Sequence, residues 1–143
     1  MNPGLQFALA VLQLGDRYVL QLRDDLPGVA ARGMWGLFGG RIEAGEDPQD
    51  ALVREIQEEL CIELYSYRHW RTVDAQNEFH GCRVRYWIFE SDIGSLWGTH
   101  DLREGQSVKD FQFSELKGLR IPRLIRKLLR DYNRDRNDRK QPQ

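Results

Sequence analysis

The sequence predicts an α+β fold, and three observations carry that reading. Strand-like and helix-like segments are mixed along the chain without regular β–α alternation, which argues against a doubly wound parallel sheet. Two stretches, 48–60 and 121–132, gather apolar residues on one side at the roughly 3.6-residue period of a helix. The chain has 143 residues with no repeat and no linker, so a single core is the simplest arrangement.

Each element has a local cause. Leu5-Gln6-Phe7-Ala8-Leu9-Ala10-Val11-Leu12 is apolar almost throughout and reads as a largely buried strand. Gly15-Asp16 supplies a turn, and Arg17–Leu22 forms its hairpin partner. Asp24–Gly33 is a loop punctuated by Pro27-Gly28. A short strand around Met34–Phe38 runs into Gly39-Gly40. The helix over 48–60 has a defined start: Asp47 suits the N-cap, Pro48 the first helical position and Asp50 the first turn. Leu52, Val53, Ile56 and Leu60 fall on one side of it and can pack on a sheet. Glu63–Val73 and Cys82–Glu90 are β-rich, the second a continuous aromatic and β-branched run. Residues 92–110 are loop-like, and 111–113 a short strand. Leu119, Ile121, Leu124, Ile125, Leu128 and Leu129 make an apolar stripe, so 121–132 is expected to dock as a second helix. This divides the chain into a domain over 1–132 and a basic, disordered tail over 133–143.

Composition narrows the function. No apolar run approaches the roughly 18–20 residues that a membrane span needs. The first residues lack the basic region and cleavage site of a signal peptide. Cys61 and Cys82 are too few for a disulfide framework and match no zinc spacing, so the expected compartment is the cytoplasm. The net charge of −1 hides an asymmetry. From Lys117 onward ten basic residues face three acidic ones, a balance of +7, which leaves −8 on residues 1–116. Most simply these cations are the wet face of the second helix. Attraction of polyphosphate or RNA is the lesser reading, because Asp131, Asp135 and Asp138 interrupt the series.

The segment GGRIEAGEDPQDALVREIQEELCI, residues 39–62, carries the chemistry. Glu55, Glu58 and Glu59 stand at i, i+3 and i+4, so their carboxylates crowd within one turn. Like charges at that spacing repel, and more strongly where water is excluded. Arg54, four residues before Glu58, can offset part of this charge. A hard divalent cation is the better partner for three oxygen-bearing side chains. Upstream, Gly39-Gly40 allows positive φ and close approach of a bulky group before the loop that delivers Glu46.

Residues 40–62 resemble the Nudix box: Gly, five residues, Glu, seven residues, then Arg-Glu-aliphatic-x-Glu-Glu-x-Gly-aliphatic. Gly40, Glu46, Arg54, Glu55, Ile56, Glu58, Glu59 and Ile62 all match, and Cys61 stands where the box has glycine. Trp35-Gly36-Leu37-Phe38-Gly39-Gly40 is also similar to the usual lead-in, with Phe38 in place of a frequent proline. The resemblance implies a Nudix-like α/β/α sandwich, a mixed β-sheet flanked by helices, in a MutT-like metal-dependent pyrophosphohydrolase. It implies that Glu55, Glu58, Glu59 and the carbonyl of Gly39 bind Mg²⁺ or Mn²⁺, that Arg54 orients a glutamate, and that Gly40 and Glu46 support the site. The implied substrate is a nucleoside diphosphate linked to another group, attacked by water at phosphorus. A nucleoside triphosphate, oxidised forms included, leads; an RNA 5′ end, a nucleotide sugar or a non-catalytic nucleotide sensor are alternatives. Some members take the general base from a later loop, and Glu104 is the candidate for that position.

Other residues carry two readings each. Arg23 could meet substrate phosphate, or pair at the surface with Asp24 or Asp25. Trp35, Trp87 and Phe89 could stack on a nucleobase, although core packing suits at least two of them. His69, His80 and His100 lack ligand spacing and read as surface or loop residues. Cys82 reads as buried, and Cys61 as a place where the helix leaves by some route other than a left-handed turn. The expected partner is a small nucleotide, with nucleic acid less favoured, no membrane, and a monomeric or homodimeric chain.

Overall fold

The computed structural model describes residues 4–140. Its strands are β1 (Leu5–Leu14), β2 (Arg17–Leu22), β3 (Trp35–Gly36), β4 (Phe38–Arg41), β5 (Arg68–Asn77), β6 (Cys82–Asp92) and β7 (Ser107–Phe111). Helix α1 (Pro48–Leu60) follows β4, and helix α2 (Arg123–Lys140) follows a 3-10 turn at Phe113–Gly118. The strands form one mixed sheet ordered β3-β2-β1-β6-β5, with β4 also on β1 and β7 on β2.

Strand β1 is the axis of the molecule. One edge runs parallel to β6, from Leu5 opposite Val84 to Gln13 opposite Asp92. The other edge is shared: Phe7–Ala10 pair antiparallel with β4, and Leu12–Leu14 with β2. The strand expected at 34–38 is therefore two strands, divided at Leu37, each pairing a different neighbour. Ala8, Ala10 and Leu12 face α1 and meet Leu52, Ile56 and Leu60. Leu9 and Val11 face the other way, toward Leu128, Leu129 and Tyr132 of α2. Burial on both faces is why β1 reads as an unbroken apolar run. The result is the expected sandwich, helix–sheet–helix. Among the described residues no helix is long and apolar enough to cross a membrane.

Several local expectations are corrected. Strand β5 begins at Arg68 rather than Glu63, because Ile62 and Leu64 drop as irregular chain into the α1-side core. Strand β7 lies at Ser107–Phe111 rather than 111–113; there a capping box between Gln112 and Glu115 starts the 3-10 turn instead. Cys82 is exposed at the start of β6. Most consequential, the tail expected from 133 is helical to Lys140. Arg136, only 9% exposed, crosses over the β1–β2 turn to the Gly15 carbonyl and Asp16, and Lys140 joins it on Asp16. Asn133 accepts from the Tyr18 hydroxyl at 2.8 Å. Polar contacts thus hold a segment whose composition alone suggests fraying.

Helix α1 begins as expected at Pro48, although the Asp47 carboxylate makes no capping bond. Its end departs from expectation. Cys61 does take the left-handed conformation, φ 56° and ψ 32°, with its N–H bonded to the Gln57 carbonyl at 3.0 Å. A side chain there costs about 1–2 kcal/mol, part of which glycine would return through its greater freedom when unfolded. Cys61→Gly is accordingly expected to stabilise the protein by about 0.5–1 kcal/mol, read as a higher urea midpoint at unchanged m-value.

Candidate active site

Two glycines let the helix face meet the sheet. Gly39 has φ +136°, and a Cβ on it would lie 2.1 Å from the Ala8 carbonyl oxygen of β1. A Cβ on Gly40 would lie 2.4 Å from the Glu55 carboxyl carbon. Because Leu52, Ile56 and Leu60 seat α1 on the sheet, Glu55 and Glu59, one turn apart, are turned toward this glycine pair. Glu59 is 2% exposed, and the Gly39 N–H donates to its Oε1 at 3.4 Å.

Arg54 gathers the surrounding acids. Its Nε and Nη2 bond both oxygens of Glu46 at 2.8 and 2.9 Å, a bidentate pair. Nη1 reaches Glu55 Oε1 at 2.9 Å and Glu58 Oε2 at 3.4 Å, and Nη2 also donates to the Arg41 carbonyl at 3.1 Å. Arg54 and the backbone N–H of Glu43 together hold the Glu46 carboxyl down at about 2. The loop before α1 is thereby tied to the helix it introduces. Glu58 sits on the outer side of this clamp with its side chain 53% exposed.

A distant loop completes the site. The Asp101 and Arg103 N–H groups donate to the Leu60 and Glu59 carbonyls, both at 2.8 Å, which would otherwise be orphaned at the end of α1. From the other side, Gln21 Nε2 donates to the Glu104 carbonyl at 2.9 Å and the Gln106 N–H to the Leu22 carbonyl at 2.8 Å. Glu104 is so held beside Glu59. Burial, then the charges of Glu55 and Glu104, push the Glu59 carboxyl up to about 9.

These groups line one end of a cleft of about 750 Å³ that extends along β1 and β6 to the start of α2. Gly39, Gly40, Glu55, Glu59, Glu104 and Arg23 lie at the acidic end. Arg23 is not paired with Asp24 or Asp25: its Nε donates to the Ala30 carbonyl at 2.7 Å, and Asp25 meets Arg32. At the other end are Phe7, Tyr86, Asn77 and His80, with the Phe7 and Tyr86 rings stacked 5.9 Å apart. Trp35 is not in the cleft. It packs edge-on against Phe111 at 5.0 Å, since Gly36 and Leu37 take the cleft-facing positions of this segment. Trp87 bonds Gln6 and Phe89 is core, on the α1 side of the sheet. His69 meets Thr72 and His100 stacks on Trp97, both away from the cleft.

The donor chemistry suits a hard divalent cation: carboxylate oxygens, backbone carbonyls nearby, and in Glu59 a buried acid facing other acids. Among the described residues no three His, Cys, Asp or Glu side chains converge as a ready metal site. Arg54 holds Glu55 and Glu58 toward itself, at 2.9 and 3.4 Å.

Comparison with known proteins accords with this geometry. The NUDIX domain profile matches residues 4–132. The chain belongs to the Nudix hydrolase family. It is 34% identical over 68 residues to the 8-oxo-dGTP diphosphatase of Escherichia coli (strain K12), a match covering 48% of this chain and 50% of that protein. The chain thus spans about half the length of that curated relative. The MutT protein from Methanosarcina mazei Go1 superposes with a TM-score of 0.79 at 18% identity, covering 92% of this chain and 94% of the other. The MutT Nudix hydrolase from Burkholderia pseudomallei gives 0.74 at 23%, covering 88% and 95%. At these identities the two structures speak for the fold alone.

Within this Nudix domain the box residues Gly40, Glu46, Arg54, Glu55 and Glu59 come together as their spacing requires, whereas Glu58 faces outward. Phe7, Tyr86 and His80 were missed as cleft residues. The available signal is that Phe7 and Tyr86 lie in two apolar strands; their parallel register, which sets them side by side, is tertiary information. A linkage prediction follows from Glu59. Its carboxyl ordinarily titrates at 4.5 and in the fold at about 9, so between those values the folded state keeps a proton that the unfolded chain has lost. This contribution to stability falls as pH rises through that window and is level above it. Without added metal, Glu59→Gln is expected to be more stable than the wild type by a margin that widens across the window. Thermal melts at a series of pH values read it; a margin that stays constant would contradict the placement of Glu59.

Proposed function

We propose that this Nudix protein is a divalent-cation-dependent pyrophosphohydrolase of small nucleotides, with a nucleoside triphosphate, oxidised forms included, as the leading substrate. The carrying observation is the buried Glu59 carboxyl, under the charges of Glu55 and Glu104, at one end of a nucleotide-sized cleft that also holds Arg23. The name of the Escherichia coli relative supports the same direction. Mg²⁺ or Mn²⁺, held by Glu55, Glu59 and the Gly39 carbonyl, would neutralise phosphate oxygens and make a water molecule easier to deprotonate. The remaining work falls to the chain. Arg23 meets a phosphate oxygen, and Arg54 fixes Glu55 by holding it against Glu46. Glu104 takes the proton as a water oxygen bonds to phosphorus and the anhydride oxygen leaves with its electron pair. A nucleoside monophosphate and pyrophosphate result from a triphosphate. The purely sensing alternative is disfavoured by the complete glutamate set.

A nucleotide panel in Mg²⁺ or Mn²⁺, with products identified by mass and ¹⁸O-water marking the attacked phosphorus, tests this reading. Glu59→Gln and Glu104→Gln are each expected to lower kcat by roughly 10²–10³-fold. Gly40→Ala has no positive φ to violate, so it should fold while its methyl displaces Glu55 and removes most activity. Metal is expected to raise the melting temperature of the wild type and not of Glu59→Gln. A wild type that turns over no nucleotide and gains nothing from metal would overturn the proposal.

A further inference from the structure

The outward face of α2 is a line of cations that starts at the cleft. Arg123, Lys127, Arg130 and Arg134 follow one another at four, three and four residues, so they lie in one stripe about one helical pitch, roughly 5.4 Å, apart. All four are exposed. Among the described residues, the side chains of Arg123, Lys127 and Arg130 meet no carboxylate within ion-pair distance, and Arg134 has only an exposed contact with Asp131 at 3.4 Å. The acids that interrupt the sequence lie mostly off the stripe between Arg123 and Arg134. Asp131 and Asp135 turn to the flank, where Arg71 of β5 bonds them at 3.1 and 3.2 Å and Trp70 Nε1 donates to Asp135 at 3.1 Å. Asp138 lies a turn beyond Arg134. The interleaved aspartates therefore weaken the field along the stripe less than their sequence positions suggest.

Two further observations give the stripe a direction. Arg123 and Lys127 also border the cleft, so the line of charge begins where a bound nucleotide would emerge. Beside them stands Phe79, an aromatic ring 43% exposed on the β5–β6 hairpin. That hairpin is pinned to the helix start, where Glu78 accepts the Arg123 N–H at 3.3 Å. Cations at a step close to the spacing of successive phosphates, next to an exposed aromatic face, are the parts by which proteins hold a single nucleic-acid strand.

We propose that α2 is a track for single-stranded RNA whose 5′-terminal nucleotide occupies the cleft. The next base stacks on Phe79, and the following phosphates run along Lys127, Arg130 and Arg134. RNA is the strand in question because chains begun from a nucleoside triphosphate keep a 5′ anhydride, the bond this site is proposed to break. The substrate assignment rests on the hydrolase reading above; the track does not.

Binding and turnover are tested separately. The binding probe is a labelled 5′-monophosphorylated RNA of about ten nucleotides, followed by anisotropy without divalent metal. The Arg130→Gln/Arg134→Gln double variant, altered only at exposed helix positions, is expected to bind it roughly tenfold more weakly. Its slope of log K against log salt should be shallower by about 1.4, the share of two phosphate contacts on a single strand. Phe79→Ala should also weaken binding by about tenfold with the slope unchanged. In turnover, the double variant should raise KM for a 5′-triphosphorylated RNA and leave mononucleotide kinetics as in the wild type. Equal RNA affinity or equal salt slope in the wild type and the double variant overturns the track, as does binding to acidic phospholipid vesicles without binding to RNA. RNA binding with the expected slopes but no hydrolysis of any substrate upholds the track and sinks the hydrolase reading.

Discussion

The organising constraint of this molecule is that α1 buries a carboxyl group beside negative charge. Glu59 is almost sealed from water with Glu55 on its own helix and Glu104 opposite, and its carboxyl holds its proton far above the ordinary range as a result. Folding such an arrangement is unfavourable unless something offsets it. Arg54 does so in part, taking Glu46 in a bidentate pair and holding Glu55 and Glu58 on one nitrogen. It neutralises the outer acids and leaves the innermost one facing the cleft. Among the described residues no side-chain cation pairs with Glu59, the feature that the proposed metal site uses.

The scaffold is arranged to hold that charge in place. Strand β1 is packed on both faces and paired on both edges, so the backbone beneath Gly39 and Gly40 has little room to move. The loop carrying Glu104 is tied to the spent end of α1 on one side and to β2 on the other. One loop thus satisfies orphaned helix carbonyls and positions a carboxylate. The same economy holds for Cys61, whose left-handed backbone ends α1 at the point where this loop arrives. The strain there is modest beside the packing of Leu52, Ile56 and Leu60, each of which contributes about 1.5–3 kcal/mol by its burial.

The second helix separates two kinds of charge that its sequence mixes. Its inner side buries Tyr132 and Arg136, one flank commits Asp131 and Asp135 to β5, and its outer side carries Arg123, Lys127, Arg130 and Arg134. A net charge near zero for the whole chain therefore coexists with an acidic cleft floor and a basic ridge at the cleft's mouth. Such fields act on the approach and orientation of polyanions more than on stability.

Sequence alone determined what depends on near neighbours: the α+β class, α1 with its Pro48 start, the glycine pair, the crowding of Glu55, Glu58 and Glu59, and the membership implied by the box. Those follow from helical period, backbone freedom and charge spacing, all of which act over a few residues. The tertiary structure decided what depends on how elements dock. It brought Glu104 beside Glu59, turned Glu58 outward onto Arg54, and sent Trp35 to Phe111 instead of the cleft. It also set Phe7 against Tyr86, carried α2 on to Lys140 and gave Cys61 its left-handed turn. Apart from the Arg54–Glu58 contact and the Cys61 turn, which join residues four apart, none of these could be read from local pattern, because each is fixed by a hydrogen bond or a packed surface contributed by a segment far away in the chain.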